Sequence, residues 1–82
     1  MNVLMVNHPA AEKFHGGDLV QMRMTAEALR FYGVRVAESF APEPSPTGFD
    51  LVHVFNLRTA QETLSQLIHL KAFGIPIVLS PL

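Results

Sequence analysis

The chain has 82 residues, no cysteine, and a formal charge of -1 from six Lys plus Arg against seven Asp plus Glu. That length holds one domain at most and buries only about 60% of the surface its unfolded chain exposes. The charge leaves no footprint for DNA or RNA, and the missing thiols exclude disulfides, a thiolate nucleophile and cysteine-based zinc sites.

The absence of cysteine fits a reducing, cytoplasmic setting. The N-terminal MNVLMVNHPA has neither the basic region nor the apolar length of a secretion signal, and no run approaches the roughly 18 apolar residues of a membrane span. Yet 49% of the residues are hydrophobic, which points to a sheet buried on both faces.

In chain order, residues 2–7, NVLMVN, form a continuous apolar run closed by a polar residue, the pattern of a buried parallel strand. The loop HPAAEKFHGG follows. From Asp18 to Tyr32, Leu19, Met22, Ala26 and Leu29 recur at helical spacing, and Gly33 falls just past the helix end. Residues 34–40, VRVAESF, alternate as a partly exposed edge strand does. APEPSPTGFD, with three of the six prolines, is a linking loop. Residues 51–55, LVHVF, make a third strand, closed by Asn56.

Thr59-Ala60-Gln61-Glu62 matches a capping box, so a second helix is expected from there. Ala60, Leu64, Leu67, Ile68 and Ala72 are its expected buried stripe. Glu62, Ser65, Gln66 and His69 are its expected solvent side, and Gly74 its end. Residues 75–80, IPIVLS, are a fourth apolar strand.

The order β-α-β-loop-β-α-β predicts an α/β fold: a doubly wound parallel sheet in three layers, with four strands ordered 2-1-3-4 and one helix on each face. Ligands in such sheets sit beyond the carboxyl ends of the strands where the order reverses, here between the first and third strands. Two helices under-cover four strands that are apolar on both faces, and IPIVLS is an unprotected edge. The residues are therefore expected either to be part of a longer protein or to form a homo-oligomer through the fourth-strand edge.

Gly16 and Gly17 either cradle an anion at the helix N-terminus or simply let the loop turn into the helix. Neither G-x-G-x-x-G nor a P-loop lysine accompanies them, and Asp18 competes for the same amides. Lys13 and His15 either serve a phosphate or sugar from the same loop or are solvated side chains. Asn7, His8, His53, Asn56 and Arg58 are candidates to line the crevice, with His53 equally readable as a packed, hydrogen-bonded strand residue. No pair of histidines stands at i, i+4 and no His-carboxylate cluster has metal spacing, so no metal site is expected.

Taken together, NVLMVN, the loop ending in Gly-Gly, LVQMRMTAEALRFYGVRV, FDLVHVFNLRT and GIPIVLS resemble, in order and spacing, the start of a GT-B fold glycosyltransferase of the nucleotide-sugar-dependent, group 1 type. The resemblance covers nearly the whole chain. It implies a partial Rossmann-like domain over residues 1–82, on the acceptor side, with the C-terminal donor domain absent. The parent transfers a sugar from a nucleotide-sugar to a hydroxyl acceptor, without a further cofactor.

By the same resemblance the glycine loop of Gly16 and Gly17 faces donor phosphate and sugar, while His53 and Asn56 border the cleft. The isolated chain is expected to be inactive, and its catalytic residues are unassigned. Many members carry a histidine after the strand equivalent to IPIVLS; here Ser80-Pro81-Leu82 follow instead. The alternative is a free-standing flavodoxin-like binding or assembly module.

Overall fold

A computed structural model describes residues 1–8, 17–55 and 60–80, with residues 17, 18 and 60–62 described by their backbone alone. The elements are β1 (Asn2–Val6), α1 (Gly17–Phe31), β2 (Arg35–Ser39), β3 (Leu51–Val54), α2 (Ala60–Lys71) and β4 (Ile77–Leu79). All pairings are parallel and the strand order is 2-1-3-4, as the sequence predicts. Among the described residues no helix is long and apolar enough to cross a membrane.

β1 is central, and its side chains alternate between two cores. Val3 and Met5 pack with Phe55 beneath Leu19, Met22 and Ala26 of α1. Leu4 and Val6 pack with Val52 and Val54 beneath Leu70 of α2. A strand buried on both faces must be apolar throughout, which is why NVLMV does not alternate. The two helices thus lie on opposite faces.

α1 buries the stripe that its spacing predicts, Leu19, Met22 and Ala26, with Leu29 partly covered. Gly33, at φ +85°, closes it: its N–H donates to the Arg30 carbonyl and the Val34 N–H to the Leu29 carbonyl. This pair of hydrogen bonds is the Schellman arrangement, and it needs the left-handed conformation that glycine adopts without steric cost.

The strands are slightly shorter than expected, with their neighbours continuing the hydrogen bonding. Asn7 N–H donates to Ser39, Phe55 N–H to Val6, and Ser80 N–H to Val54. β4 starts at Ile77 rather than residue 75, although the Pro76 carbonyl still accepts from Val52 N–H. Proline has no N–H to give the ladder, so it stands at the strand's beginning.

The stripe on α2 is a correction. Thr63, Gln66 and Leu70 are buried and Leu67 partly so, whereas Leu64 and Ile68 are 58% and 65% exposed and Ala72 is exposed. His69 is not a free solvent-side residue either. Its Nε2–H donates to the Pro44 carbonyl at 2.8 Å, and its ring meets Phe73 edge-on.

The reason lies in the proline-rich loop. Pro44 and Pro46 are buried, and Phe49 packs on the α2-side core, so residues 41–49 cover part of the face that a second helix would otherwise cover. Prolines bring no N–H donors into this contact, only carbonyls. α2 turns Gln66 and His69 toward the loop to meet the Ala41 and Pro44 carbonyls, and this rotation carries Leu64 and Ile68 outward.

Candidate functional site

The carboxyl end of β1 is where the apolar strand gives way to Asn7 and His8, and both are buried. β2 lies on one side of β1 and β3 on the other, so chain connections leave in opposite directions here. This is the switch point at which doubly wound sheets open a crevice.

Asn7 is held in one orientation. Its side-chain Oδ1 accepts the His8 backbone N–H at 2.8 Å, and its own carbonyl accepts from Gln66 Nε2 at 3.3 Å. The same Gln66 amide nitrogen also donates to the Ala41 carbonyl at 3.3 Å. Two carbonyls around one end of the carboxamide fix that end as NH₂, because an oxygen there would face two acceptors.

Gln66 therefore bridges the ends of β1 and β2. Nothing in the sequence pattern singled it out; as a helix residue among Glu62, Ser65 and His69 it has the look of a solvated position. Its Oε1 and the Asn7 Nδ2 are both buried and have no hydrogen-bond partner among the described residues. Buried groups of this kind are few in folded proteins and each marks a local demand for a partner.

His53 stands two residues earlier along the crevice side, paired in register with Met5 and Val78. Its ring turns toward β4. Nε2 lies 3.0 Å from Ser80 Oγ, and the ring stacks on Phe55 with centroids 4.0 Å apart. It is the packed, hydrogen-bonded strand residue that one of the two sequence readings describes. Lys13, His15, Gly16, Asn56 and Arg58 lie outside the described residues, and Gly17 is the first residue of α1.

Burial lowers the His53 pKa below the ordinary histidine value. The unfolded chain then binds more protons than the folded one between the lowered pKa and about 6.5, so stability rises with pH through that window. The contribution is complete above the unfolded pKa and is lost as pH falls toward the folded one. Urea midpoints taken from neutral to mildly acidic pH are expected to fall, and His53→Gln to flatten that part of the fall. An unchanged slope in the variant would assign the pH effect elsewhere.

A concavity of about 300 Å³ opens at the opposite end of the sheet between Asn2, Arg35, Ala37, Thr47 and Phe49. There Asn2 and Asp50 exchange bonds: Asn2 N–H donates to Asp50 Oδ2 and Asp50 N–H to the Asn2 carbonyl, each at 2.8 Å. The groups nearest the strand starts are thus spent on holding β1 to the loop before β3. Ligands in parallel α/β sheets bind at the other end.

Fold and site together define a small doubly wound α/β domain, Rossmann-like in strand order, with a buried polar cluster at its switch point. No family model, curated protein or solved structure matches the chain.

Proposed function

We propose that the chain is the acceptor-side part of the N-terminal domain of a nucleotide-sugar-dependent glycosyltransferase, inactive by itself and completed in its parent by a donor-binding domain. The single observation that carries the reading is the polar cluster of Asn7 and His8 at the carboxyl end of the central strand, where the strand order reverses. The ordered match of the sequence segments supports it. In this reading Gly16 and Gly17, with Lys13 and His15, face the donor phosphate and sugar, and His53, Asn56 and Arg58 border the cleft. The setting is the cytoplasm.

Half a cleft cannot surround a transition state, since electrostatic stabilisation needs donors preorganised on both walls. Calorimetric titration of the 82-residue chain with nucleotide-sugars should therefore give no tight binding, whereas micromolar affinity would overturn the claim that the donor wall is elsewhere. In the full-length parent, Gly17→Val should abolish transfer and leave the fold intact; a fully active variant counts against the role of that loop.

The rival reading, an assembly module without catalysis, draws on β4. This edge strand carries no charge and no internal proline, and Val78 and Leu79 are both nearly half exposed. Such an edge pairs with another strand unless protected. Homo-oligomerisation through β4 belongs to both readings. Size-exclusion chromatography should show self-association at micromolar concentration that Val78→Lys weakens. A folded monomer for the unsubstituted chain would remove that element from both.

A further inference from the structure

β4 has a neighbouring strand on one side only. Successive residues of a strand send their N–H and C=O to opposite sides, and here the Pro76 carbonyl and the Ser80 N–H are both given to β3. Val78, midway between them, faces β3 as well, so Ile77 and Leu79 each turn one donor and one acceptor to the open edge. An identical strand laid antiparallel meets that pattern reciprocally. Ile77 stands opposite Leu79 of the second copy and Leu79 opposite its Ile77, which uses all of these groups around a two-fold axis at Val78.

Charge permits this pairing at β4. Near a two-fold axis the two copies bring the same residues together, so a charged edge repels itself. Residues 72–80, AFGIPIVLS, carry no charge, whereas the other edge strand, β2, holds Arg35 and Glu38, charges of the kind that protect an edge from pairing.

A stable interface covers about 800 Å² per partner, more than a strand of three residues supplies. α2 widens it. Gln66 and His69 turn one flank of that helix to the loop after β2. At 3.6 residues per turn Leu64 and Ile68 stand roughly 160° round from Gln66, on the flank toward β4, and they are 58% and 65% exposed. Lys71, a charge bordering this flank, is the last residue of the helix. A two-fold axis perpendicular to the sheet keeps both copies of α2 on one face of it, flank toward flank.

We propose that two copies of this chain form a two-fold dimer in which β4 pairs antiparallel with its own copy in this register, joining the two four-stranded sheets into one, while the flanks of α2 carrying Leu64 and Ile68 pack across the axis. This dimer rests on the self-association through β4 given above and fixes its symmetry, its register and its second contact. Ile68 is exposed in the separate subunit, so it contributes to association and little to the subunit's own stability.

Disulfide trapping tests the register, since the chain has no cysteine of its own. At Val78, a non-hydrogen-bonded site across the axis, the Cα atoms of the two copies stand about 4.5 Å apart, within disulfide reach; at Leu79 they stand about 8 Å apart, beyond it. Under mild oxidation most of Val78→Cys should run as a covalent dimer on a non-reducing gel, and Leu79→Cys should stay largely uncrosslinked. Ile68→Lys is the second arm. Sedimentation equilibrium should show its dimer weakened about tenfold or more, through one lost buried isoleucine per subunit, with the urea midpoint of the dilute subunit nearly unchanged.

A monomer in size-exclusion chromatography would overturn this dimer together with the self-association on which it rests. A dimer that Val78→Cys fails to trap, that Leu79→Cys traps equally well, or that Ile68→Lys leaves as tight would overturn the arrangement alone.

Discussion

Phe55→Ala is expected to remove most of the domain's stability. Phe55 is the largest fully buried side chain among the described residues, and it packs in the α1-side core with Met5, Leu19 and Met22 while also carrying the stacked His53 ring. Truncating a buried phenylalanine to alanine costs about 3–5 kcal/mol through lost burial and the cavity left behind. An 82-residue domain has roughly 4–12 kcal/mol in total at typical values per residue. Urea unfolding followed by circular dichroism should show the midpoint fall by a large fraction, or no cooperative transition at all. Ile68→Ala is the control: although apolar and at helical spacing, its exposure predicts a change within about 0.5 kcal/mol. Comparable losses in the two variants would mean that α2 is turned the other way.

Gln66→Leu should cost about 1–3 kcal/mol, because it leaves the Asn7 and Ala41 carbonyls facing an apolar group in a buried position. Gln66→Glu should be worse at neutral pH and should carry a distinctive signature. A glutamate buried opposite two carbonyl oxygens has its pKa raised, since its charged form is both desolvated and repelled. Its stability contribution is then fully present below the unfolded pKa near 4.3 and is lost as pH rises through the folded value. The variant should therefore gain stability on acidification over the range in which His53 makes the unsubstituted chain lose it. Thermal melts across that range decide the matter, and a glutamate variant that loses stability on acidification in parallel with the parent would show that Gln66 does not bridge the two carbonyls.

The strands and their order were legible because each rests on a local pattern: NVLMVN is apolar without alternation, VRVAESF alternates, and Gly33 and Gly74 punctuate the helices. The fold rules then leave few topologies. The phase of α2 was not legible. Leu64, Ile68 and Ala72 recur at helical spacing as well as Thr63, Gln66, Leu67 and Leu70 do, and Leu67 belongs to both sets. What decides between them is the buried carbonyls of the loop 41–46, contributed from elsewhere in the sequence, which no periodicity within the helix encodes. The same holds for the site. Asn7 and His8 follow from the end of an apolar run at a switch point, whereas Gln66 reaches them from 59 positions along the chain.

The central place of β1 also bears on how the protein is made. Residues 2–6 leave the ribosome before both strands that flank them, which end at residues 39 and 54. At translation rates of about 5–20 residues per second, this uniformly apolar segment waits for seconds before its last neighbour exists. Synthesis thus separates the emergence of the strand buried on both faces from its shielding by the length of chain between β1 and β3.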